Sequence, residues 1–184
     1  FESLRELVEL AKTAEPLACL IDPENPLFQE RDPIANLIRQ WAESTHQPVP
    51  NSPGAITRTI LESLALFNRE AACSLARMTG RTLKRLVIVG GGSRNELLNQ
   101  MTADASGVEV VMGPSESTAI GNILVQAVGA GDLGNFSEIR GVVESSFPIK
   151  TFSPRNPDQW TEAKEKYDSL NSIRIEPVST NRRR

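Results

Sequence analysis

VIVGGGSRNELLNQ, residues 87–100, is a β-branched run that breaks into three glycines and restarts as an amphipathic pattern. The apolar run, extended back to Arg85, reads as a short strand, fit to be covered on both faces. Leu97, Leu98 and Met101 then recur at helical spacing, so a helix is expected over 94–105. Gly90, Gly91 and Gly92 therefore stand at a strand-to-helix corner, where free backbone N–H groups and the positive end of a helix dipole converge. Glycine lets a ligand touch the backbone there, because no Cβ holds it away. A plain tight turn fits the same letters, though three adjacent glycines favour a ligand corner. GGGSRN lacks the later spaced glycine of a dinucleotide fingerprint and the Gly-Lys-Ser/Thr ending of a P-loop, so neither motif applies. Ser93 and Glu96 have capping-box spacing. A box would occupy N–H groups that a phosphate needs, and would leave the helix end better suited to a nucleoside.

Downstream the pattern repeats. VEVVMG, 108–113, is a second strand signal, and STAIGNILVQAVGAG, 117–131, is a second helix with Ile120, Ile123, Leu124, Ala127 and Val128 inward. Upstream, Ile56, Ile60, Leu64, Phe67, Ala71, Leu75 and Met78 mark a helix from about Pro53 to Thr79, stopped by Gly80. This alternation implies a layered α/β domain with adjacent parallel strands. At the start, FESLRELVELAK reads as a helix capped by Ser3, with Leu4, Leu7, Val8 and Ala11 on one side. Leu17 to Ile21 suggests a short strand, and Pro23, Pro26 and Pro33 forbid a long helix after it. Asp32-Pro33 then reads as cap and first residue of a helix carrying Ile34, Leu37, Ile38 and Trp41. Past Gly131 come a short helix capped by Ser137, a short strand in FPIKTFSP, and a surface helix capped by Asn156.

The 184 residues carry 39% hydrophobic and 23% charged side chains, as an ordinary globular domain does. A net charge of −3 excludes sequence-independent nucleic-acid binding, and the terminal Asn181-Arg182-Arg183-Arg184 reads as a solvated tail. No apolar run approaches about 18 residues, so no membrane partner and a cytoplasmic location are expected. Cys19 and Cys73 have no metal or redox spacing, and Cys73 reads as a buried thiol. With His46 as the one histidine, a zinc site or a His-activated nucleophile lacks material. Trp41 and Trp160 read as core or rim residues, and Asp22, Glu24 and Asp32 as turn and cap residues. Asp104 and Glu116 read as structural before functional, and Gly121 implies close helix packing.

The segments IVGGGSRNELLNQMTADASG, GPSESTAIGN, LIDPENPLF and HQPVPNSPGAITRTILESLAL occur in the order found in one family. The chain resembles the carboxyl-terminal domain of the FGGY carbohydrate kinases over roughly Leu4 to Pro154. The resemblance implies an α/β fold of the actin-like ATPase (ribonuclease H-like) type, a layered sheet with flanking helices. It implies that residues 1–154 form the nucleotide-binding domain, that 155–184 add a terminal helix and basic tail, and that an amino-terminal catalytic domain precedes them. Matched by position, Gly91 and Asn95 are nucleotide contacts, and Gly90 and Gly92 shape the same turn. Arg94 departs from the residue common there, so no side-chain contact is carried over at 94. The implied cofactors are ATP or ADP with Mg²⁺, and the implied partners are a small sugar and the amino-terminal domain. Among family members the segments look most like those acting on L-rhamnulose at its 1-hydroxyl, with xylulose, fuculose and glycerol as alternatives. No residue here matches the family's catalytic aspartate. A non-catalytic nucleotide-binding module of the actin-like superfamily and a plain α/β interaction domain are the competing readings.

Overall fold

The structure, a computed structural model, describes residues 3–175, so the arginine tail lies outside the described residues. Helix α3, Pro53–Thr79, is the spine on which the rest assembles. Ser52 Oγ accepts the Ala55 N–H, Pro53 fills the first turn, and Gly80 ends the helix at φ 64, a left-handed conformation that glycine adopts without a Cβ penalty. Its extent is the expected one, but its buried face is not. Leu61, Ala65, Leu66 and Ala72 point inward beside Thr59, Glu62 and Ser63, whereas Leu75 and Met78 are 62% and 83% exposed.

Those inward polar groups explain a second departure. Leu17 to Ile21 forms no strand. The N–H groups of Leu17, Leu20 and Ile21 donate instead to Glu62 Oε2, Gln47 Oε1 and Ser63 Oγ, each at 2.9 Å. Side chains thus do for this segment what a neighbouring strand would otherwise do. Leu20 and Ile21 are buried against helix α2, Ile34–Ser44, whose Trp41 donates from Nε1 to the Leu20 carbonyl at 2.9 Å. Pro33 itself takes the cap position of α2 and no side chain caps it, so Asp32 does not play the role its spacing suggests. Helix α1, Leu4–Thr13, is capped by Ser3 as expected and lies along α3, burying Ala11.

The sheet has the order β1-β2-β3. Strand β1, Arg85–Ile88, runs parallel to β2, Glu109–Met112, and β3, Lys150–Phe152, pairs with β2 antiparallel. Between β1 and β2 lies helix α4, Glu96–Ser106, whose Ala103 meets Leu86, Val110 and Phe152 on one sheet face. The other face is not covered as the β-branched runs suggest: Val87 and Val89 are 57% and 50% exposed. Helices α5, Ser117–Ala130, and α6, Phe136–Ser146, flank that face across a cavity of about 640 Å³ and bury no residue of their own. Gly121 borders this cavity, and a Cβ there would meet nothing within 4 Å, so it does not mark close helix packing. Asn135, rather than Ser137, caps α6, accepting the Ser137 N–H. Helix α7, Pro157–Leu170, is less superficial than its sequence suggests, since Trp160, Ala163, Tyr167 and Leu170 enter the same core as Trp41 and Leu66. No side chain caps it, so Asn156 does not make the expected bond.

Cys19 is buried and Cys73 half-buried, and both are free thiols. Burial pushes the Cys19 thiol up to about 11, against a smaller opposing pull from Lys166. The neutral thiol is favoured in the fold, so this stabilisation is complete below the unfolded value and fades as pH climbs toward about 11. At about pH 8 a thiol reagent is expected to label Cys73 and to spare Cys19 until unfolding. Equal, rapid labelling of both would contradict the packing around residue 19. Among the described residues no helix is long and apolar enough to cross a membrane.

Candidate functional site

The glycine corner is built by tying two strand ends together. Gly113 N donates to Ile88 O at 2.9 Å, and Gly90 N donates to Pro114 O at 3.1 Å. Gly90 adopts φ 80, ψ −172, a conformation open essentially to glycine alone. The chain then makes a short 3₁₀ turn, Gly91–Arg94, before α4 begins. Ser93 is buried beneath this turn, its hydroxyl facing Gly90 O at 2.8 Å and Gly113 O at 3.2 Å. Asn99, wholly buried, donates from Nδ2 to Ser93 O at 2.7 Å.

The expected capping box does not form. Because the extra turn comes first, the cap of α4 is Asn95, whose Oδ1 accepts the Leu98 N–H at 3.1 Å. Glu96 instead pairs with Lys150 of β3 at 2.7 Å. Arg94 reaches outward to Ser115 Oγ and Glu116 Oε1, at 2.9 and 3.1 Å. Both partners of that ion pair are largely exposed, so it contributes little stability. Asp104 is structural, with Oδ1 accepting from Gln100 Nε2 and from the Arg155 backbone. The N–H groups of Gly91 and Gly92 donate to no described residue. They join the first-turn N–H groups of α4 that Asn95, which takes only the Leu98 N–H, does not cap.

These donors border a cleft of about 940 Å³ between the turn, α1, α3 and β3. Gly91, Gly92 and Asn95 line it, whereas Gly90 lies behind and shapes the turn. A Cβ on Gly91 or Gly92 would meet nothing within 4 Å, so neither glycine is demanded by the protein's own packing. The facing wall is α1, through Arg5, Val8, Glu9 and Lys12. Those four recur at helical spacing on one face, a signal present in the sequence but overshadowed by the apolar stripe beside it. Arg94, Glu96, Gln100, Lys150, Thr151 and Arg155 add to the polar lining, and no local motif marks Gln100, Lys150 or Arg155. The cleft therefore offers unpaired N–H donors, cationic side chains and apolar patches from Leu61, Leu64 and Val8, a lining suited to an anionic ligand with an apolar ring. No group of three or more His, Cys, Asp or Glu side chains among the described residues is arranged to hold a metal ion.

Residues 1–130 match the family model described as the FGGY family of carbohydrate kinases, C-terminal domain. The chain belongs to the FGGY family. The rhamnulokinase of Bacteroides thetaiotaomicron is 41% identical over 161 residues, which cover 88% of this chain and 33% of that protein. The rhamnulokinase of Bacillus subtilis is 36% identical over 159 residues, covering 86% of this chain and 33% of that protein. The chain thus spans about a third of the length of the curated relatives it matches. Among solved structures, a xylulose kinase from Rhodospirillum rubrum superposes with a TM-score of 0.54 at 22% identity, covering 90% of this chain and 31% of that one. The Plasmodium falciparum glycerol kinase with ADP superposes with a TM-score of 0.64 at 15% identity, covering 95% of this chain and 35% of that one. At these identities the superpositions establish the fold, that of the FGGY kinases with their actin-like ATPase architecture.

Proposed function

We propose that this FGGY chain is the carboxyl-terminal, adenosine-binding part of a cytoplasmic ATP-dependent kinase that phosphorylates L-rhamnulose at its 1-hydroxyl. The observation that carries the reading is the pairing of 36–41% identity, over 86–88% of this chain, to proteins named rhamnulokinase with a glycine corner whose Gly91 and Gly92 border the cleft. Gly91 and Gly92 would present their N–H groups to the nucleotide, Asn95 would border the nucleoside, and Gly90 would hold the turn. Val8, Leu61 and Leu64 supply apolar surface for the base.

The donor set fits ATP or ADP, because backbone N–H groups favour an anion without a charged side chain at the point of contact. Mg²⁺ fits as an ion carried on the phosphates, since it is commonly held by one or two carboxylates and the substrate's own oxygens. When bound, it neutralises charge on the transferring phosphoryl group. What this chain contributes is position: the turn fixes one end of the nucleotide, and the α1 wall excludes water from its side. The catalytic base and the sugar contacts belong, on this reading, to an amino-terminal domain that closes the cleft.

The test is ADP release by the full-length protein with Mg-ATP and L-rhamnulose, with xylulose, fuculose and glycerol as parallel substrates. Turnover is expected to be greatest with L-rhamnulose. A preference for another sugar would move the substrate assignment, and no turnover with any ketose or polyol would overturn the reading.

A further inference from the structure

The α1 wall of the cleft is fastened to α3 by three residues that do not line the cleft. Gly54 is the closest approach: a Cβ there would lie 2.6 Å from the Leu10 carbonyl oxygen, so the helices meet backbone to backbone. Arg58, one turn on, donates from Nη1 to Ala11 O at 3.1 Å and faces Lys12 O at 3.4 Å, carbonyls of the last turn of α1, the first of which also accepts the Ala14 N–H at 3.3 Å. Its Nε donates to Glu62 Oε1 at 2.7 Å, and Glu62 Oε2 accepts the Leu17 N–H. Leu17 has φ 55, the left-handed region that a leucine rarely adopts, so this bond helps hold a strained exit from α1.

The Glu62 side chain is 1% exposed and that of Arg58 16%, which makes this a mostly buried ion pair. Burial pushes the Glu62 carboxyl above its ordinary range, with Arg58 and the Leu17 N–H opposing that shift. A buried pair is a poor source of net stability, because the lost hydration of both charges offsets their attraction. Its geometric effect here is specific: it fixes where α1 ends and how far α1 stands from α3. Arg5, Val8, Glu9 and Lys12 of α1 line the same cleft as Gly91 and Gly92.

We propose that Gly54, Arg58 and Glu62 are positioning residues for the nucleotide, setting the distance between the α1 wall and the glycine turn and hence the affinity for ATP and ADP. The inference rests on reading the cleft as the nucleotide site. Small displacements of such a wall have large effects on a fitted ligand, so Gly54→Ala and Glu62→Gln are each expected to weaken ADP binding about 10-fold. The KM for ATP should rise in parallel, with kcat and the KM for the sugar little changed. Arg58→Lys, which keeps a donor near the α1 carbonyls, should lose less than Arg58→Met.

Calorimetry with ADP and steady-state kinetics on the full-length protein read these quantities, and melting temperatures identify folded variants. Glu62→Gln, nearly isosteric, carries the test if Gly54→Ala fails to fold. Gly91→Val serves as the control for the site itself. If Gly91→Val loses ADP binding while folded Gly54→Ala and Glu62→Gln bind as tightly as the parent, the positioning role is overturned alone. If kcat and the sugar KM suffer as much as the ATP KM, the role is general support and the inference is overturned. If Gly91→Val binds ADP normally, the nucleotide reading fails and takes this inference with it.

Discussion

Gly91→Val is expected to fold as well as the parent protein and to lose about 100-fold in ADP affinity, about 2.7 kcal/mol. Two observations separate those effects. Gly91 has no positive φ, and a Cβ built on it meets nothing within 4 Å, so the protein itself tolerates a side chain there. Gly91 borders the cleft, so on the nucleotide reading a valine there would crowd the ligand. A branched side chain would hold a nucleotide off the Gly91 and Gly92 N–H groups without disturbing the turn. Gly90→Ala should do the reverse. Its φ of 80 admits a side chain only under strain, so it should lose about 1–3 kcal/mol of stability. Calorimetry with ADP and thermal melting of both variants resolve the pair. Unchanged ADP affinity in Gly91→Val would mean that the glycine serves the corner and not a ligand.

That contrast is not legible in the sequence. Three consecutive glycines announce a corner, but which one bends the chain shows only in the backbone angle of Gly90. The family resemblance marks Asn95 as an expected nucleotide contact, whereas its job as the cap of α4 was not legible, because Ser93 has the better-known spacing. The 3₁₀ turn through 91–94 uses up residues that a simple strand-to-helix junction would spare, and Ser93 ends up beneath it.

The same limit appears along α3. Its ends were legible from Pro53 and Gly80, and its apolar residues recur faithfully, yet the stripe through Leu75 and Met78 points to solvent. Periodicity assumes that polar residues seek water. Here Glu62 and Ser63 are buried because the backbone of Leu17 and Ile21 needs acceptors and no strand supplies them. The parallel pair β1 and β2, by contrast, followed from local signals, two strand runs joined by α4, whereas the antiparallel place of β3 beside β2 did not. Exposure of Val87 and Val89 did not follow, since β-branched residues report strand preference and say nothing of what covers them.

The largest loss of stability is expected from Trp41→Ala. Trp41 is wholly buried, its ring centroid lies 5.7 Å from that of Phe28, and its Nε1 holds the Leu20 carbonyl at 2.9 Å. Truncation removes the largest wholly buried side chain and leaves a cavity between α2 and the 17–21 segment, at a cost of about 3–5 kcal/mol. The hydrogen bond is the lesser part of that figure. Leu20 O also accepts from Gln47 Nε2 at 2.8 Å, so the carbonyl keeps a partner when the indole is gone. Trp41→Phe, which retains most of the packing, should therefore cost no more than about 1–2 kcal/mol. Urea unfolding of the two variants gives both numbers, and a loss under about 1 kcal/mol for the alanine would contradict the packing described. Trp41 does not border the cleft, so folded Trp41→Phe should bind ADP as the parent does. Weaker binding would instead show that the 17–21 segment, through the Leu17 bond to Glu62, passes its position on to α1.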